Sequence, residues 1–147
     1  FNLAGLQMTN LIIKDKKLKK AFENDFLCPT PFGIKAVIAA YNLAEDWVDE
    51  LNEYLDQSID EVISYIHENL DKCVVCRPEG SYILWLDFSK YNLSDEIIRE
   101  KIYNNARVVA QGGTNYDEKK KEQFQRICIA NPKKQILEAL KRIKQQF

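Results

Sequence analysis

The chain is short of the groups from which catalytic sets are built. It has one histidine, His67, in 147 residues, with no obvious acid or nucleophile partner, so no triad can be assembled. Cysteines are also few. Cys73-Val74-Val75-Cys76 has CxxC spacing, but zinc would need a second pair, and Cys28 and Cys128 each stand alone. No apolar run approaches the roughly 20 residues that cross a bilayer. Neither sign of charge dominates: 21 basic against 22 acidic residues leave a net charge of -1, no electrostatic footprint for nucleic acid or an anionic membrane. There is no internal repeat and no low-complexity segment. The opening has no initiator methionine, basic start, apolar core or small-residue cleavage site, and the one methionine is Met8. Residues 1–13 read instead as a turn feeding a strand at Leu11-Ile12-Ile13. The expectation is a C-terminal piece of a longer protein.

What is present describes an ordinary soluble domain, expected in the cytoplasm. Hydrophobic residues make up 46% and charged residues 29%, and the length suffices for a core of its own. The lysines at 14–20 and 119–121 have acids among or near them and read as solvated faces. The CxxC lies in a β-branched run rather than opening a helix, where a thiol pKa would fall, so all four cysteines read as buried structural thiols in a reducing compartment.

Periodicity divides the chain in two. Residues 16–26 suit a short amphipathic helix, stopped by Cys28-Pro29-Thr30-Pro31. Apolar residues then recur in steps of three and four from Ile34 through Val48, Leu55, Val62 and Ile66 to Leu70, without Gly or Pro. This predicts one long helix over 32–70, or two helices with a kink near 56–58. After Leu70 the period changes. Strands are expected at 73–76, 82–88, 107–111 and 124–130, with turn chemistry in Arg77-Pro78-Glu79-Gly80-Ser81. A helix should start at Ser94, a loop should span 112–117, and a last helix should start at Pro132. The fold class is α+β: a two-layer small domain with a three- to four-stranded sheet, flanking helices and one long N-terminal connecting helix.

Two features carry chemistry. Gly112-Gly113 is a weak anion-loop signal, because charged residues rather than a helix follow it. Arg126 sits in the strand-like Phe124-Gln125-Arg126-Ile127-Cys128-Ile129-Ala130, just after the glycine-bearing loop. A guanidinium on a strand is a rigid fork suited to a carboxylate, yet alternation alone could equally turn it to water.

Three separated stretches resemble the C-terminal part of pyridoxal-phosphate (PLP) enzymes of the class I/II aminotransferase fold, most closely the cystathionine β-lyase-like C–S lyase branch. Phe1-Asn2-Leu3-Ala4-Gly5-Leu6-Gln7 is similar to the segment after the Schiff-base lysine, which the resemblance puts two residues before Phe1. Gly80-Ser81-Tyr82-Ile83-Leu84-Trp85-Leu86-Asp87-Phe88 resembles the small-domain strand. Gln111-Gly112-Gly113-Thr114, with Arg126-Ile127-Cys128-Ile129-Ala130-Asn131-Pro132, resembles the loop and strand that deliver the substrate-carboxylate arginine. The resemblance implies residues 1–31 as the remnant of a large PLP-binding domain and connector, and 32–147 as the C-terminal small domain. It implies that Arg126 binds the substrate α-carboxylate, and that Gln7 meets the cofactor phosphate where many relatives use arginine. It places no catalytic residue and no metal in this chain. The parent is then a PLP-dependent C–S β-lyase acting on cystathionine or cysteine conjugates, or an amino-acid aminotransferase, and a homodimer. A non-catalytic interaction module is the alternative from another class. Where relatives have Phe-Gly after the Gln-Gly-Gly segment, this chain has Tyr116-Asp117 and a charged run.

Overall fold

The computed structural model describes residues 1, 3–22, 29–117 and 122–147. They form two compact units, Phe1–Leu51 and Asn52–Phe147.

In the first unit a 3-10 turn, Ala4–Leu6, closes on Gln7 in left-handed geometry. The strand expected at 11–13 does not form: Leu11 and Ile12 are 64% and 87% exposed, and among the described residues no partner strand takes their backbone hydrogen bonds. Helix α1 is Lys16–Phe22, and the expected continuation to 26, like Cys28, lies outside the described residues. Helix α2, Pro31–Leu43, opens with proline in its first turn, and the Thr30 hydroxyl caps it by accepting from Gly33 N–H at 3.0 Å. Gly33 is required by close approach: a Cβ there would lie 2.6 Å from Met8 Cγ.

The single helix over 32–70 is not what forms. Ala44, at φ -128° and ψ 32°, separates α2 from α3, Glu45–Asn69. The kink near 56–58 is absent too; Ser58 stays helical and donates its hydroxyl to Tyr54 O at 2.8 Å. Periodicity missed the break because only one residue leaves helical geometry. Ala44 N–H still reaches Ala40 O at 3.2 Å, and Val48 N–H reaches Ala44 O at 3.3 Å. Glu45 and Asp46 in the first turn of α3 are the sequence signal for a new N-terminus.

The second unit is α+β. Strands β1 (Val74–Val75), β2 (Ile83–Asp87), β3 (Gln111–Gly112) and β4 (Phe124–Cys128) form an antiparallel sheet in the order β1-β2-β4-β3. Alternation in β2 gives the sheet two unlike faces. Leu84 and Leu86 are fully buried, whereas Ile83, Trp85 and Asp87 are half-buried. The buried face joins a core with Val62 and Ile66 of α3, Ile98 of α4 (Asp95–Arg99), and Leu140 and Ile143 of α5 (Lys133–Lys144). Ser94 caps α4 through Ile97 N–H at 3.3 Å, and a π-helical stretch, Glu100–Asn105, continues it. Helix α5 starts directly after Pro132, as expected. The strand expected at 107–111 shrinks to β3. Arg107 takes φ 53°, and Val108 N–H turns back to Ile102 O at 3.0 Å instead of joining the sheet.

The cysteines also depart from expectation. Cys73 is buried, but Cys76 and Cys128 are exposed, because β1 ends at Val75 and Cys128 lies at the end of β4 on the half-buried face.

Candidate functional site

Strand β4 is central in the sheet, and its entry is tightly fixed. Gln123, at φ 67°, accepts from Phe88 N–H at 3.1 Å, donates its own N–H to Asp95 Oδ1 at 3.3 Å, and donates Nε2–H to Leu93 O at 2.5 Å. Register then places Arg126 opposite Trp85 of β2 on one side and Gln111 of β3 on the other. Buried Gln125 belongs to the core face, so its neighbour Arg126 belongs to the half-buried one.

The guanidinium there has neutral neighbours. Arg126 Nη1 donates to Gln111 Oε1, and the Tyr116 hydroxyl donates to the same oxygen at 2.6 Å. The guanidinium carbon lies 5.6 Å from the Tyr116 ring centre, and Tyr116 meets Trp85 edge to face at 5.3 Å and 84°. Ion pairs among the described residues involve Arg77, Lys133 and Arg142, not Arg126. Among the described residues, Arg126 is thus held on the half-buried face of the sheet without a carboxylate partner. It does not line the cavity of about 640 Å³ in this unit, which Gln111 shares with Glu96, Arg99, Glu100 and Asn115.

Gln7 is placed differently. It belongs to the first unit, is exposed, and its backbone N–H donates to Ala4 O at 3.0 Å. Among the described residues its side chain has no hydrogen-bond partner, and Arg126 belongs to the other unit. Gly112 and Gly113 are buried in β3 and the turn after it, Gly113–Asn115, and among the described residues no helix N-terminus of useful length follows them. Lys119 to Lys121 lie outside the described residues. No group of three His, Cys, Asp or Glu among the described residues could hold a metal ion. The neighbours of Arg126 that sequence reading missed are Gln111, Tyr116 and Trp85. Tyr116 was visible only as a departure from the related loop.

Cys73 is a structural thiol. Burial first, and the nearby Asp87 carboxylate second, push its pKa from 9.0 up to about 12. Burial is also the main cause of the raised Tyr91 pKa, with smaller additions from Cys73 and Asp71. The Cys73 thiol therefore stays protonated in the folded state where the unfolded chain would ionise it. Its stabilising contribution is full below about pH 9 and is lost as pH rises toward about 12. Urea melts of wild type and Cys73→Ala across this range should show a shallower alkaline loss in the variant. Parallel slopes would contradict the burial argument.

No family model matches the chain. Curated and solved relatives are informative. The chain is 33% identical over 121 residues to cystathionine beta-lyase PatB of Bacillus subtilis, covering 79% of this chain and 31% of that protein. A PLP-bound protein of Clostridium difficile 630, described as an aminotransferase, superposes with TM-score 0.90 at 38% identity, over 99% of this chain and 39% of that one. The PLP-bound C–S lyase of Staphylococcus hominis gives TM-score 0.87 at 28% identity, over 99% and 39%. The fold is that of the C-terminal domain of PLP-dependent C–S lyases. The chain spans about a third of the length of the relatives it matches. On the described residues, no helix is long and apolar enough to cross a membrane.

Proposed function

We propose that this chain is the substrate-closing C-terminal domain of a cytoplasmic, homodimeric, PLP-dependent C–S β-lyase, with Arg126 as the group that binds the α-carboxylate of cystathionine or a cysteine conjugate. The observation that carries the reading is Arg126 itself: a guanidinium fixed on a central strand, on the half-buried sheet face, with an amide and a phenol as neighbours and no acid paired to it among the described residues. A rigid fork left without an anion suits an incoming carboxylate. Its role would be positional, fixing the α-carbon so that its C–H bond is correctly aligned for proton removal.

The residues present fit a contribution to the cofactor site, not the whole of it. The exposed Gln7 amide could give the phosphate a neutral hydrogen bond, and its side chain is uncommitted among the described residues. When bound, PLP supplies an electron sink for the negative charge that develops at the α-carbon. Residues 1–31 would belong with the large domain and connector, and 32–147 with the domain that closes on substrate.

The 38% identity to a protein described as an aminotransferase favours a second reading, the same domain serving amino-group transfer. The two separate in one assay of the full-length enzyme with cystathionine. Release of pyruvate and a thiol without a keto-acid acceptor is expected. Turnover that depends on an acceptor would replace the lyase reading with transamination.

A further inference from the structure

Arg126 is engaged by a group that a substrate carboxylate could replace. Gln111 Oε1 takes a hydrogen bond from Arg126 Nη1 and another from the Tyr116 hydroxyl, at 2.6 Å for the latter. Two donors on one oxygen fix which end of the amide faces the arginine, since the amide nitrogen in that place could accept from neither. The Tyr116 ring in turn lies under the guanidinium at 5.6 Å and is held by Trp85 at 5.3 Å. The result is a relay of contacts from Trp85 through Tyr116 and Gln111 to Arg126, all within one compact unit.

We propose that Gln111 is a neutral placeholder for the substrate carboxylate and that Tyr116 orients it, both acting as positioning residues for Arg126. The proposal rests on the carboxylate-binding reading of Arg126. A neutral amide oxygen engages one N–H of the guanidinium and keeps its fork from swinging free. It is nonetheless a weaker acceptor than a carboxylate, whose charge-assisted, bidentate pairing can take its place. An acid at the same position would not yield. It would form a standing ion pair on the N–H edge the substrate needs, as a built-in competitor. The side chain at 111 thereby sets how readily the site accepts an anion, and the phenol at 116 sets how well the arginine is aimed before the anion arrives.

The test uses the full-length enzyme with cystathionine, measuring KM, kcat and melting temperature for Gln111→Glu, Gln111→Ala, Tyr116→Phe and Arg126→Ala. Gln111→Glu should raise KM by about tenfold or more, with kcat within about twofold and no fall in melting temperature, because the new ion pair helps the fold while it opposes the substrate. Tyr116→Phe keeps the ring but removes the hydroxyl, and should raise KM by about two- to fivefold with kcat retained. Gln111→Ala should act in the same direction, and its effect should not add to that of Tyr116→Phe if the two serve one network. If Arg126→Ala impairs substrate use while KM is unchanged in all the Gln111 and Tyr116 variants, the placeholder proposal falls and the carboxylate reading stands. A melting temperature that falls in Gln111→Glu with kcat and KM moving together would mean a merely structural role, and also overturns it. An Arg126→Ala enzyme with unimpaired substrate use overturns the carboxylate reading and the proposal with it.

Discussion

Replacing Arg126 with alanine in the full-length enzyme is expected to cut kcat/KM by about 30-fold to several thousand-fold. The figure comes from removing one partner of a bidentate, charge-assisted contact in a closed site, about 2 to 5 kcal/mol of transition-state binding. Folding should be nearly untouched. Among the described residues the half-buried side chain makes one hydrogen bond, to Gln111, together with its ring contact to Tyr116, so truncation should cost about 1 kcal/mol of stability. Cofactor content should likewise stay near wild type, because no part of the reading puts Arg126 on the cofactor. Arg126→Lys should recover only part of the loss: an ammonium is a point charge and cannot reproduce the planar fork. Steady-state kinetics beside PLP absorbance and a thermal melt check all three points together. An Arg126→Ala enzyme with kcat/KM within about threefold of wild type would remove the carboxylate assignment. One that loses its cofactor would move the residue to a different role.

The legible parts of this chain were those set by local chemistry. The apolar run Ile83-Leu84-Trp85-Leu86 marked the strand, though not which of its faces is buried, and Ser94 and Pro132 marked helix starts that the structure confirms. Breaks made by a single residue were not legible. Ala44 interrupts the long apolar stripe while its neighbours' hydrogen bonds continue across it, and Arg107 leaves the β region with no glycine to announce it. Arg126 shows a different limit. Alternation correctly put it on the face away from the core, but that face is both the one water reaches and the one a ligand reaches, so spacing alone left the two readings level. Its partners depend on register, which a two-residue turn would have fixed. The connection at 113–123 is much longer, so the pairing of Gln111 with Arg126 could not be read from sequence. Burial of the cysteines failed for a related reason: a two-residue β1 leaves Cys76 beyond the edge of the sheet.

Phe88→Ala should produce the largest stability loss among single substitutions argued from this fold, about 3 to 5 kcal/mol. Phe88 is 0% exposed. Its ring packs on Phe147 at 4.8 Å and on Tyr91 at 5.9 Å, and those two rings meet each other at 4.8 Å, so its removal opens a cavity that two aromatic neighbours can only partly close. A small domain has about 5 to 15 kcal/mol in total, so the variant should approach its unfolding threshold. Phe147→Ala should cost less, because that ring is only partly buried, although it also lies 5.3 Å from Lys101 Nζ. A double-mutant cycle between 88 and 147 should show coupling of about 0.5 to 1.5 kcal/mol, the range for a packed aromatic pair. Urea unfolding of the four proteins measures it. A loss below about 1 kcal/mol for Phe88→Ala, with an unchanged m-value, would mean that the rings re-pack freely and that this corner is not the anchor described. The backbone of Phe88 also matters to the site. Its N–H holds Gln123 O at 3.1 Å at the entry to β4, only three residues before Arg126, and alanine keeps that bond. Folded Phe88→Ala enzyme should therefore retain its KM, and its activity should fall only in proportion to the unfolded fraction.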